Sequence, residues 1–293
     1  MLAPPPLAAE MPTVGLVLKR GAPRAREVAR DVVAWLRDRG IHAISEPDDA
    51  HALGVEPAEK SGMFARAGAI VVLGGDGTFL ATARLAGERP VPIVGVNLGG
   101  LGFLTEITID ELTGTLAAVL DGRASIDHRR MLRAVVRRAD GSEESFQALN
   151  DAVLSRGAVG RVVDVETSID GAVLASFKGD GVIIATPTGS TAYALSAGGP
   201  LVHPSVRVLL LSPICPHTLS VRPIVIDDCA RLAFRLRSPR EELILTLDGQ
   251  ETIAINPEDV VEVACSPYTA CVVRSSHLSF FDLLRTKLGW ARL

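Results

Sequence analysis

Aromatic side chains make up only 4% of the 293 residues, cysteine occurs four times, and no surplus of basic residues is present. Lys and Arg number 30 against 34 Asp and Glu, a formal net charge of −4. Phosphate backbones demand a basic face, so this balance excludes a non-specific nucleic-acid binder. Cys215, Cys229, Cys265 and Cys271 contain no C-x-x-C pair and stand beside no histidine cluster at zinc-ligand spacing. They read as free thiols in a reducing cytosol. No apolar run approaches the roughly 18 to 20 residues of a membrane span. The N-terminal stretch Met1 to Pro12 is proline-rich and has no Lys or Arg. It lacks the charged and apolar regions of a signal peptide and is expected to be a short disordered tail on a cytoplasmic protein.

What is present is an ordinary globular composition, 47% hydrophobic and 22% charged. The length favours two domains. In the first half, strand-like and helix-like segments alternate. Thr13 to Leu18 and Ala69 to Leu73 are short apolar strands, and Val91 to Val96 is a third. Ala22 to Arg39 has helical spacing with Gly40 as a stop, and Phe79 to Ala86 and Asp110 to Leu120 read as helices. Such alternation predicts a Rossmann-like parallel α/β sheet over 13–125. From about residue 126 the period becomes two. Met131 to Val136, Glu144 to Leu149, Val163 to Ile169, Val173 to Phe177, Arg231 to Arg237, Glu242 to Leu247 and Val260 to Ala264 predict an all-β sandwich over 126–274. A last helix, Leu278 to Leu288 within 275–293, is expected to return to the first domain.

Two segments carry chemistry. Gly74-Gly75-Asp76-Gly77-Thr78 follows a buried strand, where glycines let backbone N–H groups close on an anion and the next helix adds its dipole. No Gly-Lys-Ser/Thr follows, so this is no Walker loop. An acid inside an anion loop repels phosphate. Either Asp76 caps the next helix, or it takes a proton from an attacking hydroxyl or holds a metal. The second segment runs from Lys178-Gly179-Asp180-Gly181 to Thr188-Gly189-Ser190-Thr191-Ala192-Tyr193-Ala194-Leu195-Ser196. Its dense glycines and hydroxyls admit a flat ligand, with Tyr193 available to stack. Asn150-Asp151, His217 and Asp248-Gly249-Gln250 are weak alone and read first as turns or structural residues.

Together these residues resemble the NAD kinase family, over a stretch from about Val14 to the C-terminal helix. The glycine loop is shared with diacylglycerol and sphingosine kinases. The Asn-acid pair and the Gly-Asp-Gly…Thr-Pro-Thr-Gly-Ser-Thr-Ala-Tyr run are far more specific. The resemblance implies phosphoryl transfer from ATP, or from polyphosphate as in some relatives, to the 2′-hydroxyl of the adenosine ribose of NAD. It implies that Asp76 is the proton acceptor, that Gly74, Gly75, Gly77 and Thr78 form the phosphate loop, and that Asp76 and Gly77 also contact NAD. Asn150 and Asp151 would contact the dinucleotide; the acid is Asp here where the family pattern has Glu. Lys178 would lie near the substrate phosphates and Asp180 at a base or amide edge. Thr188, Thr191, Ala192, Tyr193, Ala194, Leu195 and Ser196 would line the adenine and ribose pocket, and Arg161 and Gln250 would be outlying contacts. Family members build the NAD site across subunits, so a homodimer or homotetramer is expected.

Phosphoryl transfer needs positioning and charge neutralisation more than covalent chemistry. Mg²⁺ would arrive with the donor phosphates, since no separate metal cage is evident. Two competing readings remain: a lipid kinase using the same loop, and a dinucleotide sensor without catalysis. Few aromatics and the absence of a basic amphipathic stretch disfavour the first, and an intact Asp76 the second.

Overall fold

The computed structural model describes residues 13–157, 162–218, 220–237 and 243–290. The expected tail at 1–12 and Arg161 lie outside the described residues. The chain forms two compact units. One runs to His128 and resumes at Thr269; the other is Arg129–Tyr268.

The first unit contains β1 (Thr13–Leu18), α1 (Pro23–Arg37), β2 (His42–Ser45), α2 (Pro47–Leu53), β3 (Glu56–Pro57), α3 (Lys60–Arg66), β4 (Ala69–Gly74), α4 (Asp76–Ala83), β5 (Pro92–Asn97) and α5 (Leu112–Leu120). The strands pair in parallel in the order β5-β4-β1-β2-β3. Every residue of β4 is buried, as expected of a strand covered on both faces. α1 begins at Pro23, whose fixed φ suits the first helical position, and lays Val28, Val32 and Leu36 on the core. Trp35 stays at the edge of that core, with the Arg39 guanidinium 3.9 Å from its ring centroid. From β1 the chain moves outward to β2, whereas β4 lies on the other flank of β1. The order therefore reverses between β1 and β4, and open α/β sheets bind ligands at the carboxyl ends of strands at such a point.

The chain enters the second unit within β6 (Ile126–Arg137). There follow β7 (Glu143–Ala148), β8 (Asp151–Arg156), β9 (Val163–Ile169), β10 (Ala172–Gly179), β11 (Gly181–Ala185), a 3₁₀ turn at Thr188–Thr191, and the one-turn helix α6 (Tyr193–Ser196). β12 (Val208–Ile214), β13 (Ile224–Asp227), β14 (Leu232–Leu236), β15 (Leu243–Leu247), β16 (Glu251–Ile255) and β17 (Val260–Val273) complete it. Six strands form one antiparallel sheet in the order β13-β12-β11-β8-β15-β16. Antiparallel pairs β10–β9, β9–β14 and β14–β17 make the second layer. Leu154, Val182, Ile184, Leu211 and Leu245 from the first layer meet Val163, Val165, Phe234 and Val261 from the second in one core. This is the all-β sandwich that the period-two pattern predicts.

β17 returns to the first unit, where Cys271 and Val272 pair in parallel with Pro92 and Ile93. α7 (Phe280–Leu288) follows and belongs to that unit. Ser279 caps it in a reciprocal pair with Asp282, and Gly289 ends it in a left-handed conformation. Lys287 donates to the Leu101 carbonyl at 2.8 Å, which ties the helix to the loop after β5.

Candidate active site

In the first unit the glycine loop stands at the point where the strand order reverses. Lys19, just past β1, donates its N–H to the Leu73 carbonyl of β4 at 2.9 Å. A Cβ on Gly74 would lie 2.7 Å from Thr78 Oγ1 and 3.1 Å from Lys19 Cβ, so only glycine lets these two close over the end of β4. α4 starts at Asp76, three residues earlier than the expected start at Phe79. Gly75 is the cap residue, and its carbonyl accepts from Thr78 and Phe79 N–H at 3.0 and 3.1 Å. The loop is thus itself the first turn of the helix, and its positive dipole end coincides with Asp76–Thr78.

Asp76 does not cap this helix with its side chain. Its carboxylate crosses instead to the loop after β5. Oδ1 accepts from Leu104 N–H at 3.0 Å, Thr105 N–H at 3.1 Å and Thr105 Oγ1 at 3.1 Å. Oδ2 accepts from Phe103 N–H at 2.9 Å. A carboxylate has about four lone-pair sites, two on each oxygen. These donors crowd Oδ1 and leave Oδ2 with the spare acceptor capacity. Gly102 is indispensable to the clamp, since a Cβ there would fall 2.1 Å from Asp76 Oδ1 and 2.3 Å from Thr105 Oγ1. β5 supports the loop: Asn97 N–H donates to the Ile107 carbonyl at 2.9 Å, and Ile107 N–H to the Gly95 carbonyl at 3.2 Å.

In the second unit, three segments meet at one end of the six-stranded sheet. Ala185, the last residue of β11, pairs with Asp151, the first of β8, and Leu247, the last of β15, pairs with Ala152. This register sets Asn150–Asp151 between the turn after β11 and the turn after β15. Thr186 N–H donates to the Asn150 carbonyl at 2.9 Å and Thr186 Oγ1 to the Leu149 carbonyl at 2.6 Å. A Cβ on Gly189 would lie 2.1 Å from the Asn150 carbonyl oxygen, so the loop backbone lies directly on the Asn150 backbone. Ser190 Oγ is buried and donates to the Pro187 carbonyl at 2.6 Å, which ties the 3₁₀ turn internally. Thr191 Oγ1 donates to the Thr188 carbonyl at 3.2 Å. Arg129, itself buried, donates from Nη1 to Thr188 Oγ1 at 3.4 Å. Among the described residues the Asn150 side-chain amide makes no hydrogen bond. Tyr193 is 46% exposed.

Asp151 is buried, at 3% exposure. Burial first, and the Asp248 carboxylate second, push its carboxyl up to about 7, against a hydrogen bond from the Tyr193 backbone N–H. That bond joins β8 to the start of α6. Gln250 is exposed, in the turn after β15.

The structure brings together Gly74–Thr78 in one unit, and Asn150, Asp151, Thr188, Thr191–Ser196 and Gln250 in the other. It does not bring Lys178 and Asp180 to the second group. They precede β11, whereas Thr188–Ser196 follow it. Five strand residues span about 16 Å at 3.3 Å each. Asp180 there accepts from Arg156 Nε at 2.8 Å, and Lys178 pairs with Asp164 at 3.6 Å. Lys19, Gly102 and Thr105 went unnoticed in the sequence.

The metal question turns on donors. Oδ2 of Asp76 is one carboxylate oxygen with room for a further contact, which is too little for an all-protein cage. It fits Mg²⁺, which keeps its waters and relies on substrate phosphates with one or two carboxylates. The grouping Asp227, Asp228 and Cys229 does not serve, because Asp228 is paired with Arg130 at 2.9 Å and Arg207 at 3.2 Å.

A glycine loop with a clamped acid at the strand-order reversal, together with a β-sandwich bearing a hydroxyl-rich loop, defines a two-domain kinase acting on a nucleotide-like alcohol. Residues 14–124 match the family profile described as the ATP-NAD kinase N-terminal domain, and residues 149–275 that of the ATP-NAD kinase C-terminal domain. The chain belongs to the NAD kinase family. It is 45% identical over 284 residues to the NAD kinase of Syntrophotalea carbinolica, covering 96% of this chain and 99% of that one. It is 44% identical over 280 residues to the NAD kinase of Geobacter metallireducens, with the same coverage of 96% and 99%. A solved structure of yeast NADH kinase complexed with NADH superimposes with a TM-score of 0.89 at 26% identity, covering 97% of this chain and 89% of that one. The fold also recurs in an Archaeoglobus fulgidus NAD kinase in complex with ATP, with a TM-score of 0.74 at 23% identity, covering 94% and 98%.

Proposed function

We propose that this chain transfers the γ-phosphoryl group of ATP to the 2′-hydroxyl of the adenosine ribose of NAD, making NADP. The observation that carries this reading is the Asp76 clamp. A helix cap has no use for four donors drawn from another loop, whereas a base must be held still with acceptor capacity left on one oxygen. In this reading Oδ2 of Asp76 accepts the hydroxyl proton as the hydroxyl oxygen bonds to the γ-phosphorus. The bond to the β-bridging oxygen breaks, and ADP leaves. The N-terminus of α4 and the glycine backbone face the donor phosphates. Mg²⁺, when bound with the donor, neutralises charge on those phosphates.

In the second unit the free amide of Asn150 and the hydroxyl of Thr188 hydrogen-bond the dinucleotide, Tyr193 stacks on it, and Thr191, Ala192 and Ala194–Ser196 complete the wall. Lys178 and Asp180, at the far end of β11, serve the NAD site of a second copy, so the active protein is a homodimer or homotetramer. The exposed apolar residues Val173 and Leu174, on the edge strand β10, support burial of that edge in an assembly. Exposed free thiols at Cys215 and Cys229 suit a reducing, cytoplasmic setting.

The test offers purified protein Mg-ATP or polyphosphate with NAD, NADH or diacylglycerol. NADP formed with ATP supports the reading. Phosphorylated lipid would overturn it in favour of a lipid kinase, and calorimetric NAD binding without turnover in favour of a sensor.

A further inference from the structure

The turn after β15 is built for more than closing a hairpin. Asp248 and Gly249 have φ of 50° and 65°, and Gln250 N–H donates to the Leu247 carbonyl at 2.9 Å, a type I′ turn. Asn suits the first position of such a turn at least as well as Asp, so the turn alone does not ask for a carboxylate. The carboxylate has its own task. Oδ2 accepts from Leu149 N–H at 3.0 Å; Oδ1 accepts from Asn150 N–H at 2.7 Å and Asp151 N–H at 3.2 Å. Asp248 N–H in turn donates to the Asp151 carbonyl at 3.0 Å. Asp248 is only 8% exposed.

We propose that Asp248 is a positioning residue for dinucleotide binding. By gathering three successive N–H groups, its carboxylate fixes the backbone at Leu149–Asp151 and so aims the Asn150 amide at the ligand. The proposal rests on the reading of Asn150–Asp151 as dinucleotide contacts. Thr186 and Gly189 brace the same backbone from the other side, but they act on carbonyls. Asp248 alone gathers the N–H groups among the described residues. The arrangement has an electrostatic consequence: after burial, the Asp248 charge is what raises the Asp151 carboxyl.

The experiment compares wild type with D248N, which keeps the turn and removes the charge. The expected result is an NAD KM raised at least tenfold with kcat within threefold. The inflection near neutral pH in the profile of kcat/KM should move to lower pH, because Asp151 loses its like-charged neighbour. A purely structural role would lower stability and kcat together and leave the NAD KM within twofold. A KM within twofold overturns the proposal wherever the inflection falls, as does a fall in kcat alone. If D248N does not fold, D248E is used. Its carboxylate stands one methylene too far, so KM should rise at least fivefold, and a KM within twofold overturns the proposal. Wild type that forms no NADP would instead count against the proposed function, which keeps the two failures apart.

Discussion

Replacing Gly102 with alanine tests the clamp that holds Asp76. The added Cβ would fall 2.1 Å from Asp76 Oδ1, 2.3 Å from Thr105 Oγ1 and 2.8 Å from Asp76 Cγ. Ordinary contact begins near 3.4 Å, so the carboxylate or the loop must retreat by about 1 Å. Backbone N–H groups of Phe103, Leu104 and Thr105 leave little slack on the loop side. Hydrogen bonds to a charged group are worth about 1.5 to 3 kcal/mol each, and a misplacement of about 1 Å can cost roughly a hundredfold in rate. G102A should therefore lower kcat about a hundredfold, equivalent to about 2.7 kcal/mol of barrier. Its NAD KM should change little, because Asn150 and Thr188–Ser196 are untouched. Steady-state NADP formation, coupled to an NADP-specific dehydrogenase, reads both constants, and circular dichroism checks the fold. Gly114 is the control: it lies in α5 with nothing within 4 Å of an added Cβ, so G114A should keep full activity. T105V, which removes one donor of the four, should cost about tenfold. A natively folded G102A with kcat within threefold of wild type would refute the reasoning.

Three further outcomes are expected. Tyr193→Ala should raise the NAD KM roughly tenfold, since an aromatic contact is worth about 1 kcal/mol beyond its buried area; a KM within twofold would remove the stacking role. The Asp151 carboxyl, raised to about 7 when folded from 3.8, binds more protons in the native state. Its ionisation therefore costs stability as pH rises from about 4 to 7, and D151N should gain thermal stability over wild type at pH 8 but not at pH 4; equal gains at both would contradict the assignment. Light scattering at micromolar concentration should show a homo-oligomer, and a fully active monomer would refute a site shared between copies.

Much of this architecture is readable from residue pattern alone. β1 spans Thr13–Leu18 as the apolar run predicts, and the sandwich follows from the alternation in β9, β14 and β15. What was hidden had physical causes. α4 begins at Asp76 rather than Phe79 because glycine-rich sequence argues against helix, yet here the loop is the first turn. β8 begins at Asp151, although Asn-Asp reads locally as a turn; its pairing with both β11 and β15 overrides that preference. β2, α2 and α3 are short and carry few periodic positions to betray them. The two glycine- and hydroxyl-rich loops stand out in the sequence because glycine and hydroxyl density is local. The clamp was not, because Asp76 and its donors are 27 to 29 residues apart. Lys178 and Asp180 sit close to Thr188–Ser196 in sequence, but the extended strand between them sets the two groups at opposite ends.

The central claim is that Asp76 acts as the base rather than as a loop fastener. The measurement is single-turnover phosphorylation of NAD by Asp76→Asn, made beside calorimetric NAD binding by the same protein. Asn retains the size and one oxygen acceptor while losing the basicity, and general-base catalysis contributes about 10²- to 10⁴-fold. The account predicts NAD binding within a few-fold of wild type with turnover lowered at least a hundredfold. Turnover above about a tenth of wild type would contradict it and leave Asp76 as the residue that merely fastens Phe103–Thr105.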